Sequence, residues 1–83
     1  MKLMTKDIKR KAQKQHIEGS DMEQKVVAKF FDAMGSWTWY LMNLDPENND
    51  YASGIVDGFA VEMGSFSLTE LKEVLGRRLE RDL

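Results

Sequence analysis

Eight consecutive residues, Trp37-Thr38-Trp39-Tyr40-Leu41-Met42-Asn43-Leu44, carry no charge and are apolar at most positions. Aromatic and aliphatic side chains at this density specify a strand. Successive side chains of a strand point to opposite faces, so Trp37, Trp39 and Leu41 share one face. Thr38, Tyr40, Met42 and Leu44 share the other. Residues 25–32, KVVAKFFD, repeat the doubling, with Val26, Ala28 and Phe30 set against Val27, Lys29 and Phe31. A sheet wetted on one side alternates apolar with polar, and these two segments do not. The chain must therefore hide apolar groups on both faces of its sheet, or leave some for another molecule.

Little material is available for hiding them. The sequence has 83 residues and a mass of 9.6 kDa, which is one domain, 1–83. A chain of this size buries only about 60–65% of its unfolded surface. Charged residues at 31% and hydrophobic ones at 42% are a globular composition, not a disordered one. There is no cysteine, which removes disulfides, thiolate nucleophiles and cysteine-based zinc sites. A reducing cytoplasm is the expected compartment. The longest uncharged run, Ala33 to Leu44, is too short to span a bilayer, so no membrane segment is expected. The first eleven residues are basic without an apolar core, so no signal peptide is expected either.

The remaining elements follow from periodicity and punctuation. Residues 5–17 read as a helix with Thr5 as N-cap, Asp7 in the first turn, and Met4, Ile8 and Ala12 along one stripe. Gly19-Ser20 is its expected stop. Strands are expected at 25–32, 37–44 and 51–60, the first two joined through Ala33-Met34-Gly35-Ser36. The turn after the third strand has two candidates, Asp57-Gly58 and Val61-Glu62-Met63-Gly64. The second is preferred, since it keeps Ile55, Asp57 and Phe59 in one alternation before a short strand near Ser65-Phe66. Ser67-Leu68-Thr69-Glu70 is a capping box opening a helix through Leu71, Val74 and Leu75, stopped by Gly76. Residues 77–83 form a short charged tail. The expected fold is α+β: a three- to four-stranded antiparallel meander sheet with an N-terminal and a C-terminal helix packed on one face.

Charge is unevenly spread. Residues 1–25 hold seven Lys/Arg against four Asp/Glu, whereas residues 26–75 hold two against eight. The body is acidic, with net charge −6, and carries a basic N-terminal arm. Such a body repels phosphate and suits a basic protein surface.

The chain from Lys29-Phe30-Phe31 onward resembles a known family. Ser36-Trp37-Thr38-Trp39-Tyr40, Val56-Asp57-Gly58-Phe59, Glu62, Gly64, Phe66-Ser67-Leu68-Thr69-Glu70-Leu71 and Leu79-Glu80-Arg81-Asp82-Leu83 follow in order, after the opening Met1-Lys2-Leu3-Met4-Thr5-Lys6. This set is similar to the Domain of Unknown Function 2958 family, nearly end to end and weakest between Ala12 and Gln24. The chain lacks the family's proline late in the first helix, is shorter between Gly76 and Leu79, and lacks the aromatic ending. The resemblance implies a short bacterial protein of the kind carried by plasmids, phages and integrative elements. It brings no activity, cofactor or catalytic residue. Its mobile-element setting implies a partner in host defence machinery, which such a protein would inhibit.

No catalytic constellation assembles from the residue types present. His16 is the only histidine and reads as a solvated residue at the end of a polar helix. Asp57 and Glu62 flank Gly58 but fall on opposite faces of a regular strand; Asp57 reads as a turn-bonding aspartate, or as a partly buried acid beside Ile55 and Phe59. Asp45, Glu47 and Asp50 resemble a loose metal loop but lack the glycine and distal glutamate of a calcium site; they read as a solvated turn, and no cofactor or metal is expected.

Two functional readings remain. In the first, a non-catalytic module engages a protein partner through an acidic, aromatic-bearing surface that includes Phe31, Trp37, Trp39, Tyr40, Asp57 and Glu62. In the second, bases of single-stranded nucleic acid stack on these aromatics while Lys6, Lys9, Arg10, Lys11 and Lys14 track phosphates. A homodimer closed through the second sheet face is a further expectation.

Overall fold

The computed structural model describes residues 3–17, 24–48 and 50–82. The expected helix stop at Gly19-Ser20 lies outside the described residues. The elements in order are α1 (Lys6–Ile17), β1 (Ala28–Asp32), β2 (Thr38–Leu44), β3 (Tyr51–Asp57), β4 (Val61–Ser67), α2 (Leu68–Leu75), a 3₁₀ turn (Gly76–Arg78) and β5 (Leu79–Arg81). The molecule is α+β, built on one five-stranded sheet of order β4-β3-β2-β1-β5 with every pairing antiparallel.

The strand count therefore exceeds the expected three or four. Part of the charged tail is a strand: Leu79 lies opposite Asp32, Glu80 opposite Phe31 and Arg81 opposite Phe30. The link from β4 to β5 runs from one sheet edge to the other. Four inter-strand gaps measure about 19 Å at ~4.8 Å each. Eight α-helical residues and three 3₁₀ residues rise about 18 Å, so α2 and its 3₁₀ turn are just long enough to cross. Gly76, at φ 55°, lets the chain leave α2.

Local signals account for the helix starts. Thr5 Oγ1 accepts from the Ile8 amide at 3.2 Å, and Ser67 Oγ accepts from the Glu70 amide at 3.1 Å. The turn between β3 and β4 is Gly58-Phe59-Ala60, closed by a bond from the Gly58 amide to the Ala60 carbonyl at 3.1 Å. It is not Val61-Glu62-Met63-Gly64, which is strand. The physical reason lies in Trp37, whose ring covers Gly58 so closely that any Cβ there would collide with it. The third strand thus stops at Asp57, and Phe59 leaves the alternation.

One buried cluster holds the layers together. Ile8 and Ala12 of α1 and Leu68 of α2 meet Ala28, Phe30, Trp39, Leu41, Leu44, Ala52 and Leu79 of the sheet. Leu3, Met4, Val27, Trp37, Val56, Phe66, Leu71 and Leu75 pack around it. β2 is bulged at Met42, since the register with β3 shifts between Leu41 and Asn43. The bulge returns Leu44 to the core face beside Leu41, against the simple alternation that puts them apart. Gly54 permits this, because a Cβ there would overlap the Tyr40 carbonyl oxygen.

Candidate functional site

The registers show what lies on the sheet face away from that cluster. Lys29, Tyr40, Ile55 and Met63 stand side by side across β1, β2, β3 and β4. The next row reads Glu80, Phe31, Thr38, Asp57 and Val61 across all five strands. Phe31, Tyr40, Ile55 and Met63 are half-buried and none belongs to the core cluster or its packed surround. Val61, at 68%, is exposed. Neighbouring strands make this an aromatic and aliphatic strip about 14 Å across.

Acids border the strip. Asp57 and Glu80 lie in its second row, and Lys29 Nζ sits 3.7 Å from Asp82 Oδ2. The Lys29 ammonium also stands 6.0 Å from the Tyr40 ring centroid, so its stem shields part of that ring. The side chains arrayed here can bind by contact and charge.

The six expected partner-binding residues divide between two surfaces. Phe31, Tyr40 and Asp57 belong to the open face. Trp39 does not: it is 7% exposed, within the core cluster. Its place follows from facing Phe30 and Val56 across the sheet, on the side that carries the helices. Trp37 is half-buried against the same cluster, with its ring centroid 6.0 Å from that of Trp39. Trp39 is thus a core residue and not the partner-binding surface residue expected, while Trp37 keeps part of its ring accessible. Glu62 lies opposite Val56, on the core side of edge strand β4, and is exposed.

Around Trp37 a second apolar feature appears. A groove of about 540 Å³ runs between α2 and the two indoles, lined by Leu71, Val74, Leu75, Glu70 and Glu73 as well as Asp32. Phe59 meets Trp37 edge to face at 5.2 Å and is 98% exposed; Val74 is 78% exposed. Phe59 was legible only as a strand residue, because the turn that presents it depends on Trp37 covering Gly58.

Other candidate residues serve the fold. Asp32 is buried and takes a two-pronged ion pair from Arg78, Nε to Oδ1 at 3.0 Å and Nη2 to Oδ2 at 2.5 Å. The Arg78 hydrogen bonds hold its carboxyl below the usual range, helped by the Met34 amide. Asp50 accepts from the Ser67 hydroxyl at 2.5 Å and from the Thr69 amide at 2.7 Å, which also lowers its pKa. It is a cap for α2 rather than part of a solvated turn. His16 is half-buried, with Nδ1 3.5 Å from Asn43 Oδ1, and so is not simply solvated. On α1, Arg10 and Lys11 both pair with Asp7, at 2.7 and 3.0 Å, and lower its pKa. Lys6 and Lys14 are exposed and Lys9 half-buried. Among the described residues no three acids or histidines converge as metal ligands, and no helix is long and apolar enough to cross a membrane.

Fold and surface together define a small α+β protein with one sheet face sealed by helices and the other bearing aromatic and acidic side chains. The chain belongs to the family described as Protein of unknown function (DUF2958), whose model matches residues 2–83. Among curated proteins and among solved structures, nothing is similar enough to count as a match.

Proposed function

We propose that this protein is a non-catalytic binding module that docks a basic protein surface on its open sheet face. One observation carries the reading: Phe31, Tyr40, Ile55 and Met63 line up on a face from which the apolar residues of both helices are absent. Partly buried aromatics in a contiguous strip are typical anchors of protein interfaces. The acids around them and the net charge of −6 over residues 26–75 favour a cationic partner. A basic surface that otherwise holds nucleic acid meets that description. The mobile-element setting implied by the family resemblance directs attention to host defence complexes, with the protein acting as an inhibitor in the cytoplasm.

The test is affinity capture from a bacterial host lysate with the wild type, Tyr40→Ala, Asp57→Lys and Phe59→Ser. A specific protein retained by the wild type and Phe59→Ser, but lost from Tyr40→Ala and Asp57→Lys, is the expected result. Equal capture by all four sinks the reading. Loss only from Phe59→Ser moves the docking surface to the groove beside α2. The nucleic-acid alternative draws less support, with Trp39 in the core and two basic residues of α1 paired to Asp7. A low-salt mobility shift of labelled single-stranded DNA or RNA by the purified protein would reinstate it.

A further inference from the structure

The two edges of the sheet are built differently. β5 has three residues, two of them Glu80 and Arg81, and short charged edges resist pairing with other chains. β4 has seven residues, Val61–Ser67, with no lysine, no proline and a single charge at Glu62. Its register with β3 is unbroken from Asp57–Val61 to Tyr51–Ser67, so no bulge twists it away. Outside the β3 ladder and the first turn of α2, which Ser67 caps, no backbone hydrogen bond among the described residues involves residues 61–67. Nothing lies within 4 Å of where a Cβ on Gly64 would stand. The outward amides and carbonyls of β4 are thus an open template for one more strand.

We infer that β4 pairs with β4 of a second copy, antiparallel about a two-fold axis through Gly64. The sequence VEMGSFS is self-compatible in that register. Val61 faces Ser67, Glu62 faces Phe66, Met63 faces Ser65 and Gly64 faces itself, so all seven residues pair and the two glutamates never oppose each other. Any shifted register forfeits pairs. An isologous contact of this kind closes as a dimer rather than growing into a fibre. The axis runs perpendicular to the sheet, so the two open faces lie on the same side of a ten-stranded sheet. The dimer does not depend on the partner-binding reading above, although it would double that surface.

Gly64 offers a clean test. A lysine there has room in the monomer but meets its symmetry mate at the axis, as does a glutamate. Sedimentation equilibrium should give the wild type twice the 9.6 kDa chain mass. Gly64→Lys and Gly64→Glu alone should each fall to the monomer, with circular dichroism unchanged. Mixed in equal amounts they should recover the dimer, since opposite charges then face each other. A wild type that stays monomeric to millimolar concentration overturns the inference. So does a dimer that survives Gly64→Lys, or one that Tyr40→Ala breaks while both Gly64 variants leave it intact.

Discussion

Asp32 holds two partners with one carboxylate. It receives the Arg78 guanidinium, it accepts the Met34 amide at 3.0 Å, and so it fixes the β1–β2 turn while tying β5 to it. Asp50 acts likewise at the start of α2. Both carboxyls are held below the ordinary value of 3.8, which links stability to pH. A depressed folded pKa adds stability above the unfolded pKa and loses it as pH falls through the folded one. Urea midpoints should therefore be level near neutrality and drop below about pH 4. Asp32→Asn combined with Asp50→Asn should lower the midpoint at pH 7 and flatten that acid limb. An unchanged acid limb in the double variant would refute this account. The Asp32–Arg78 pair was not legible in the sequence, because its members lie 46 residues apart and meet only when β5 docks. The Thr5 and Ser67 caps were legible, because a cap needs only its next three residues.

Elements register these residues as stops, starts and bends. Ser67 serves two neighbours, accepting from Glu70 and donating to Asp50. Ser67→Ala should cost about 1 kcal/mol in thermal unfolding, the usual value for a lost N-cap. Gly54→Ala should cost about 1–3 kcal/mol or more, since the added methyl meets backbone of β2 that cannot swing aside. A neutral Gly54→Ala would mean that the bulge at Met42 relaxes freely. Strands β1, β2 and β3 and both helices were readable from composition and periodicity, within a few residues at their ends. β4 was misjudged because Met63, Gly64 and Ser65 carry weak strand preference and gain their geometry from β3. β5 was hidden for a similar reason: three residues, two of them charged, have no periodicity to read.

Over the whole molecule, the doubling of apolar residues in residues 25–44 is resolved unequally. The side bearing Phe30, Trp39 and Leu41 is sealed, and Leu41→Ala should cost about 2–5 kcal/mol in chemical denaturation. The side bearing Phe31 and Tyr40 is half-covered, so Tyr40→Ala should cost clearly less. Equal losses would mean that Tyr40 is structural. Sequence alone established that two apolar faces exist. It could not tell which one the helices take, because α2 reaches the sheet by a crossing whose far end, β5, was not foreseen.

That crossing has a consequence for synthesis. One of the two partners of the strand made from residues 28–32 is residues 79–81, which leave the ribosome after every other strand of the sheet. Until they emerge, the β1 margin is bare and Asp32 has no counterion. Nascent chains halted before Arg78 should be recognised as unfinished by proteases and chaperones, and chains that extend past Arg81 should escape them.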